Sequence, residues 1–551
     1  MKNRLKKLKC LLTLAVTIPV FSLKIAAQDI KRERPAEWNN LVRGAAFIDQ
    51  FKMIPPVGEL TSDTWGWDTV LPRYTDNGIE EKEWSYWGGN IMKGEDNLYH
   101  LFVCRWPENN KDGHKYWSKS EVVHAVCSNS IGPYKVKGSP VGKGHNPEIF
   151  RLKDGRYVIY VIDACYISDS LDGPWQKSTF EFQPCDRKII EGLSNLSFTQ
   201  REDGSYLMVC RGGGIWISKT GLSPYMQITN KRVYPDIEGR FEDPVIWRTG
   251  FQYHMIVNDW YGRIAYYLRS KNGVEWKVEP GEAYTPGIAK YTDGTNEDWY
   301  KYERIKIFQD KYGRAVQANF AVIDTSKWGD LGNDRHSSKN ISIPLVVERF
   351  ISIQNKKPIT EKTKSIVLKI QAEEGFDPLK DLDIESLRLG ASEEVNFGRG
   401  CKVIAKENEG ADLLLTFDGT GNGITENNFA AKLLGRTKND ELIIGYAQLP
   451  GVSYNEAILS ALKPILKNDM LELGVQNFGQ VNSKPSAIEI VLANKTKSFT
   501  LHSKIGALKP FEKTTLHVEH SEQIHSDTDY KVTIRTNGNQ KIPLFEQEIR
   551  F

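Results

Sequence analysis

The sequence predicts an all-β protein, and three observations carry that. Five stretches, WGGNIMKGEDNLYHLF, HNPEIFRLKDGRYVIY, SNLSFTQREDGSYLMV, EDPVIWRTGFQYHMIV and ERIKIFQDKYGRAVQ, begin at Trp87, His145, Ser194, Glu242 and Glu303. Each has a polar head, a few strand residues, a polar turn that usually contains Gly, and a second strand. HAVCSNSIGPYK, YISDSLDGPWQ, IWISKTGLSPYMQ and YYLRSKNGVEWK then repeat a Ser, a turn with Gly and an aromatic, pairing Ser128/Tyr134, Ser168/Trp175, Ser218/Tyr225 and Ser270/Trp276. After about Lys357 this repeat stops and other short alternating runs follow. One hairpin-based unit recurring at roughly 50 residues signals propeller blades. The predicted architecture is a five-bladed β-propeller followed by two small β-sandwich modules.

In chain order, residues 1–28 read as an export signal: six cations and no acid, an apolar stretch from Leu11 to Leu23, then Ala26 and Ala27 before Gln28. A periplasmic or secreted location is the expectation. Cys10 precedes the apolar stretch and does not read as a lipid-anchor site. Residues 29–85 form an irregular lead-in rich in Trp, Pro, Asp and Gly, with Trp65, Trp67 and Trp84, able to supply a closing strand or part of a rim. The propeller is assigned to 86–357, its fifth blade finishing with ISIPLVVERF and helped by N-terminal chain. Residues 358–452 (SIVLKIQAEE, ADLLLTFDG, ELIIGYAQLPG) alternate apolar and polar as a β-sandwich does. Residues 453–551 carry evenly spaced strands and read as an immunoglobulin-like module, with one helix expected over 455–467, interrupted at Pro464. Neither module shows an acid/base constellation, so a structural or tethering role is expected there.

The formal net charge of +3 misleads: removing the six cations of residues 1–28 leaves −3. Charge therefore gives no support for nucleic acid or an anionic membrane surface as partner. No later apolar run is long enough to span a bilayer. Six cysteines remain, Cys104, Cys127, Cys165, Cys185, Cys210 and Cys401, without CxxC or Cys/His spacing. Three lie in apolar strand patterns, where Cys acts as a small hydrophobe, so disulfides are not expected.

Because inner strands line a propeller's channel, their polar heads converge. Aligning them puts Gly88, Asn146, Ser194, Asp243 and Glu303 in one register, preceded by Trp87, His145, Leu193, Glu242 and Tyr302. Asn90 follows Gly88 by two residues. Arg304 and Lys306 follow in the fifth unit, and His124 and His254 lie on nearby strands. The bland alternatives are structural: a turn at Asn146, ion pairs of Glu242 or Asp243 with Arg240 or Arg248, an ion-pair belt at Tyr302-Glu303-Arg304 and simple packing of Trp260. His336 lies in a polar loop near the end of the repeats.

A polar head, an apolar strand, a DG turn and a YxxY strand resemble the five-bladed propeller superfamily of glycoside hydrolase family 43 and its relatives. That resemblance implies three channel carboxylates, since glycosidic hydrolysis pairs one acid with one base or nucleophile. Here Gly88 stands where the first-blade base would be, and only Asp243 and Glu303 keep carboxylates in register, with Glu242 beside them. The overall look of the chain also resembles the oligosaccharide dehydratases of marine ulvan-utilisation systems.

The residues present suit elimination across C4–C5 of a uronic acid, which needs a base, an acid and a stabiliser for the carboxylate. His145 and Tyr302 are the expected proton-transfer groups. Asn146 and Arg304 would steady the carboxylate, Glu242, Asp243 and Glu303 would orient the ring or a partner side chain, and Asn90 and Trp260 would contact sugar. The expected partner is a uronate-containing oligosaccharide, processed by a dehydratase if C4 carries a free hydroxyl and by a lyase if it carries a sugar. Two other readings stand beside this: an exo-acting glycoside hydrolase using Asp243 and Glu303, and a non-catalytic sugar-binding propeller. Channel carboxylates and histidines could hold calcium or manganese, but no spacing demands a metal.

Overall fold

The computed structural model describes residues 30–61, 72–190, 192–332, 334–467, 470–520, 524–525, 527–537 and 540–551. The expected export signal, Cys10, Trp65, Trp67 and Asn333 lie outside the described residues. Five antiparallel sheets follow one another along the chain, and we label their first strands β1 (Trp84–Lys93), β2 (Glu148–Arg151), β3 (Ser197–Gln200), β4 (Phe241–Thr249) and β5 (Lys301–Gln309). Behind β4, for example, Gln252–Asp259, Ile264–Ser270 and Lys277–Val278 pair in simple succession. The third sheet gains an edge strand, Phe182–Gln183, parallel to Tyr225–Gln227. First strands of consecutive sheets pack together, and β5 packs on β1, closing a ring.

Strands so placed are covered on both faces, which is why they read as nearly continuous apolar runs. All eight residues of Gln252–Asp259 and all seven of Ile264–Ser270 are buried. Separate cores fill the seams between sheets: Leu207, Ile217, Met255 and Leu268 between the third and fourth, Phe150, Phe198, Tyr206 and Tyr225 between the second and third. Each such side chain contributes about 1.5–3 kcal/mol when fully buried, so the seams hold the ring.

The fifth sheet has three strands, Lys301–Gln309, Ala315–Ile323 and Ser338–Pro344. Its open edge is covered by the lead-in: Ile79 N donates to Asn340 O at 3.1 Å, and Ser342 N donates to Asn77 Oδ1 at 2.9 Å. Covering an edge in this way removes a row of unpaired backbone groups.

Two double-sheet units follow. In the first, Ile351–Ile353, Ser365–Ile370, Asp412–Asp418 and Val403–Glu409 face Arg388–Gly390, Ala430–Arg436 and Leu442–Gln448 over a core that includes Ile366, Leu415 and Leu433. This unit begins before residue 358: Ile351–Ile353, assigned above to the propeller, pairs with Ser365–Ile370. In the second, Leu459–Ala461, Met470–Asn477, Ile465–Lys467 and Lys513–Glu519 face Ser498–Ile505, Ser486–Ala493, Asp529–Thr536 and Phe545–Arg550. The helix expected over 455–467 is absent. Leu459–Ala461 and Ile465–Lys467 are strands paired to Met470–Asn477, split at Pro464, because cross-strand partners outweigh helical spacing in so short a run. Both units are fastened to the ring: Lys277 Nζ donates to Ser392 Oγ of the first at 2.9 Å, and Arg187 Nη2 donates to Ser460 Oγ of the second at 2.7 Å. The six described cysteines are free. Among the described residues no helix is long and apolar enough to cross a membrane.

Candidate active site

The five heads converge through one backbone device. Gly88, Asn146, Asn195, Asp243 and Arg304 all have positive φ, between 42° and 55°. In β1, β4 and β5 the pairing register slips at these positions. Such a bulge turns the preceding side chain toward the sheet's end. The true register therefore differs from the predicted one by one residue in the third and fifth sheets: Asn195 replaces Ser194, and Arg304 replaces Glu303. Arg at positive φ is uncommon, and in sequence the adjacent Glu303 reads as the match because it is a carboxylate like Asp243.

The register residues form a belt. Asn146 Nδ2 donates to Asn195 Oδ1 at 2.9 Å, and Asn195 Nδ2 donates to Asp243 Oδ1 at 3.1 Å. Asp243 pairs with the Arg304 guanidinium and accepts Arg304 N at 3.2 Å. Gly88 closes the circle, since a Cβ there would lie 3.1 Å from Asn146 Oδ1 and 3.3 Å from Arg304 Cγ. The cavity inside is about 10 Å³, room for about one water. Asn146 Oδ1 and Arg304 Nε are buried there without partners. Burial pushes Asp243 up to about 6 against the pull of Arg304, with Glu303 and Glu242 adding to the rise.

One residue earlier, Trp87, His145, Ser194, Glu242 and Glu303 make the next tier. Glu303 is fully buried, accepts Trp260 Nε1 at 2.8 Å and pairs with Lys327. Burial alone would raise its pKa, but Lys327, Lys301 and Arg304 together outweigh that and hold it below the usual carboxylate range. Glu242 is only 3.8 Å from Arg240 Nε, and its side chain keeps 13% exposure. Lys327 also lies over the Trp87 ring at 4.9 Å, and Lys301 over Trp260 at 4.1 Å.

His145 has an assignable tautomer. Its Nδ1 lies 3.1 Å from Ser120 Oγ and 3.4 Å from Cys104 Sγ. Ser120 gives its proton to Gly144 O, and Cys104 gives its own to Trp87 O. Neither has a proton left for the ring, so Nδ1 carries the hydrogen and Nε2 the lone pair. Among the described residues no hydrogen bond is made by Nε2. Burial, with Arg304 and Lys327 nearby, keeps the ring well below the ordinary histidine pKa, hence neutral at pH 7. Trp117, half exposed, tilts against it at 4.8 Å. The arrangement offers a neutral base, two flanking cations and aromatic walls.

Several expected site residues lie elsewhere. Tyr302 does not face the mouth: its ring packs edge-on to Phe320 at 5.4 Å, its Oη accepts Ala289 N at 3.2 Å, and burial pushes its pKa far up. It sits one position before Glu303, and alternation sends it into the core between the fourth and fifth sheets. Asn90 links the first two sheets. Its Nδ2 donates to Ile149 O at 2.9 Å and its Oδ1 accepts Ile149 N at 2.8 Å. Lys306 pairs with Glu148. His254 is locked between Thr249 and Tyr267 under Trp247, and His336 pairs with Asp324 at 3.3 Å. His145, Asn146, Glu242, Asp243, Glu303, Arg304 and Trp260 do come together. Ser120, Lys327 and Asn195 join them unforeseen. Ser120 and Lys327 lie in loops outside the repeat, whereas Asn195 was one residue from the aligned Ser194.

Among the described residues, the side chains close enough to share a cation are His100, His124 and Asp172. They lie away from this mouth, and the two imidazoles already spend nitrogens on each other at 2.8 Å.

No protein-family model matches the chain, and no curated protein matches it. Among solved structures it is similar to a family 117 glycoside hydrolase of the marine bacterium Zobellia galactanivorans, at 13% identity and TM-score 0.34, covering 54% of this chain and 90% of that one. It is similar also to a family 43 β-xylosidase/α-arabinofuranosidase from a compost microbial metagenome, at 11% identity and TM-score 0.34, over 54% and 97%. A third, described as a glycoside hydrolase, has 9% identity and TM-score 0.35 over 83% and 95%. Likenesses this loose decide neither the reaction nor the substrate.

Proposed function

We propose that the five sheets are the blades of a propeller and that the protein is an exported carbohydrate-active enzyme working at the channel mouth. The reaction we assign is elimination across C4–C5 of a uronic acid at the end of an acidic oligosaccharide. One observation carries this reading: His145 is a neutral imidazole with Nδ1 held by Ser120 and a lone pair on Nε2, beside Lys327 and Arg304. A base and cations are what proton abstraction next to a carboxylate requires, because charge develops on that carboxylate as the proton leaves. At the heads of the first three sheets neither the belt residues Gly88, Asn146 and Asn195 nor the next tier, Trp87, His145 and Ser194, include a carboxylate to serve a hydrolytic base.

The test is incubation of the mature protein with uronate-ended oligosaccharides, read by mass spectrometry and ultraviolet absorbance. Loss of one water mass with a conjugated-alkene absorbance and no chain cleavage is expected for a dehydratase. The same absorbance with smaller fragments would make it a lyase. Gain of water across a cleaved bond, without absorbance, would sink elimination.

Hydrolysis is the second reading, and the cluster Glu242, Asp243 and Glu303 favours it. Asp243, raised to about 6, has the character of an acid, and the partly exposed Glu242 that of its carboxylate partner. Replacing Asp243 by Asn and Glu242 by Gln would then abolish water-adding cleavage while the fold persists.

A further inference from the structure

The ring has a second hollow at the end away from the heads. It measures about 910 Å³, against about 10 Å³ for the cavity inside the belt. All five first strands line it, through residues 90–93 of β1, 148–151 of β2, 198–200 of β3, 245–246 of β4 and 306–309 of β5. These stretches begin two or three residues past the positive-φ positions. His145 and Glu303 stand one residue before those positions, so the belt separates them from this hollow. Lys306 borders both spaces. It pairs with Glu148, from a sheet that is not its neighbour, so the pair crosses the channel and divides belt from hollow.

Four cations, Lys93, Arg151, Lys306 and Lys311, line the hollow against two acids, Glu148 and Asp310. Both acids are already spent. Besides Lys306, Glu148 accepts Ser197 Oγ at 2.9 Å and Phe198 N at 3.3 Å. Asp310 accepts Tyr312 N and Arg314 N, both at 2.9 Å, and Arg314 Nε at 2.8 Å. The cations keep hydrogens to give. Lys306 Nζ has three and, among the described residues, the one partner Glu148. Lys93 and Lys311 are exposed and, among the described residues, make no ion pair. Arg151 has only Glu95, at 3.4 Å, whose side chain is 84% exposed, so that pair holds it weakly. An aromatic stands beside each free lysine: Lys93 lies 5.5 Å over Tyr99 and Lys311 4.9 Å over Tyr312. Tyr99 is braced edge-on by Phe308, and Tyr312 is half exposed.

We propose that this hollow is a second carbohydrate site, holding a short acidic oligosaccharide by its anionic groups. Its volume is at the upper end of the range that encloses a ligand of that size, and apolar walls with a few placed polar groups are what such sites need. Lys93 and Lys311 receive sulfate or carboxylate groups at the rim, as charge-assisted donors. Tyr99 and Tyr312 wall the sugar rings, and Lys306 gives a hydrogen bond at the floor. The site binds and does no chemistry. The carbohydrate class of its ligand rests on the proposed function, but the site does not depend on elimination at the heads. A protein built this way holds one stretch of an acidic glycan at the far end of the ring and works on a chain end at the other.

Hydroxyl-radical footprinting of the mature protein, read by mass spectrometry, tests this without turnover. The probes are a heparin tetrasaccharide, its desulfated form and the neutral cellotetraose. The heparin tetrasaccharide is expected to protect Met92, Tyr99 and Tyr312, whether or not Trp117 at the mouth is protected, and to do so less as salt rises. Equal protection by the desulfated form assigns recognition to carboxylates, and its loss assigns it to sulfates. Protection of Trp117 alone, no protection, or equal protection by cellotetraose overturns the site. The double variant Lys93→Glu, Lys311→Glu changes two exposed side chains, so it should fold as the wild type does by circular dichroism. In it the concentration that half-protects Tyr312 should rise about tenfold or more, and an unchanged concentration overturns the assignment. A protein inert toward every uronate that still shows this footprint loses the elimination reading and keeps the second site.

Discussion

Two clusters of buried charge, built from the same residue types, differ in how completely they are satisfied. Where the fourth sheet meets the first double-sheet unit, Arg269 Nε and Nη2 donate to Glu279 at 3.0 and 2.6 Å, and Nη1 donates to Gln252 at 3.0 Å. Lys432 Nζ donates to Gly44 O, Ala45 O and Asn396 Oδ1. Every nitrogen of these two cations has a partner, and the Arg269 guanidinium also lies 4.2 Å over Tyr446. At the five heads Asn146 Oδ1, Ser194 Oγ and Arg304 Nε have none. Gln252 Nε2 stays unpaired at the junction, but both cations there are fully satisfied, which rigidifies it; the heads keep an unpaired guanidinium nitrogen of Arg304 that a ligand could use. The first is where this molecule is held together, the second where the proposed chemistry would take place.

The sharpest way to break this contrast is to delete one member of each. His145→Gln should cost about 10²- to 10⁴-fold in kcat yet move unfolding free energy by less than about 1 kcal/mol, read by turnover and urea unfolding on the same sample. Arg269→Met should do the opposite. It leaves buried Glu279 with only the more distant Lys277, at 3.9 Å, and the neutral donors Ser392 and Asn396, so a loss of about 3 kcal/mol in stability is expected with kcat/KM close to wild type. Equal stability losses from both would erase the distinction.

Titration separates the regions next. Glu279 sits in burial that would raise it, but Arg269, Lys277 and Lys432 outweigh that and hold it at about 2, below its ordinary 4.5. A depressed carboxylate contributes stability above its unfolded pKa and loses it as pH falls through the folded one. Chemical unfolding should therefore show a loss on the order of 3 kcal/mol between about pH 5 and 2, absent in Glu279→Gln. His145 must be neutral to act and its pKa is depressed, so the acid limb of kcat/KM should lie below pH 6.5. A limb at or above 6.5 would mean the base is another group. The smallest effect expected is from Trp260→Phe, which removes the donor to Glu303: about a tenfold fall in kcat/KM, or ~1.4 kcal/mol, with stability little changed.

Much of this was legible in the chain. The five polar heads announced five first strands, and the Ser-turn-aromatic endings announced their outer partners, because strand period and turn chemistry are local. His145, Asn146, Asp243 and Trp260 were visible as polar or aromatic residues at strand heads. Tyr302 and Asn90 looked equally eligible, but Tyr302 packs into the core and Asn90 bonds across a seam. Strand heads in sequence do not reveal which side of a bulge each side chain takes, and one residue of slip exchanges core for channel.

What the sequence determined by itself was the all-β character and the repeat, since these follow from side-chain periodicity within a few residues. The tertiary structure decided the register of the heads, through a positive-φ residue shared by Gly88, Asn146, Asn195, Asp243 and Arg304 that no common side chain marks. It also decided which distant groups complete the mouth. Ser120 orients His145, and Lys327 holds Glu303 from more than twenty residues away. Loops outside the repeat carry both, and only closure of the ring brings them to the same place.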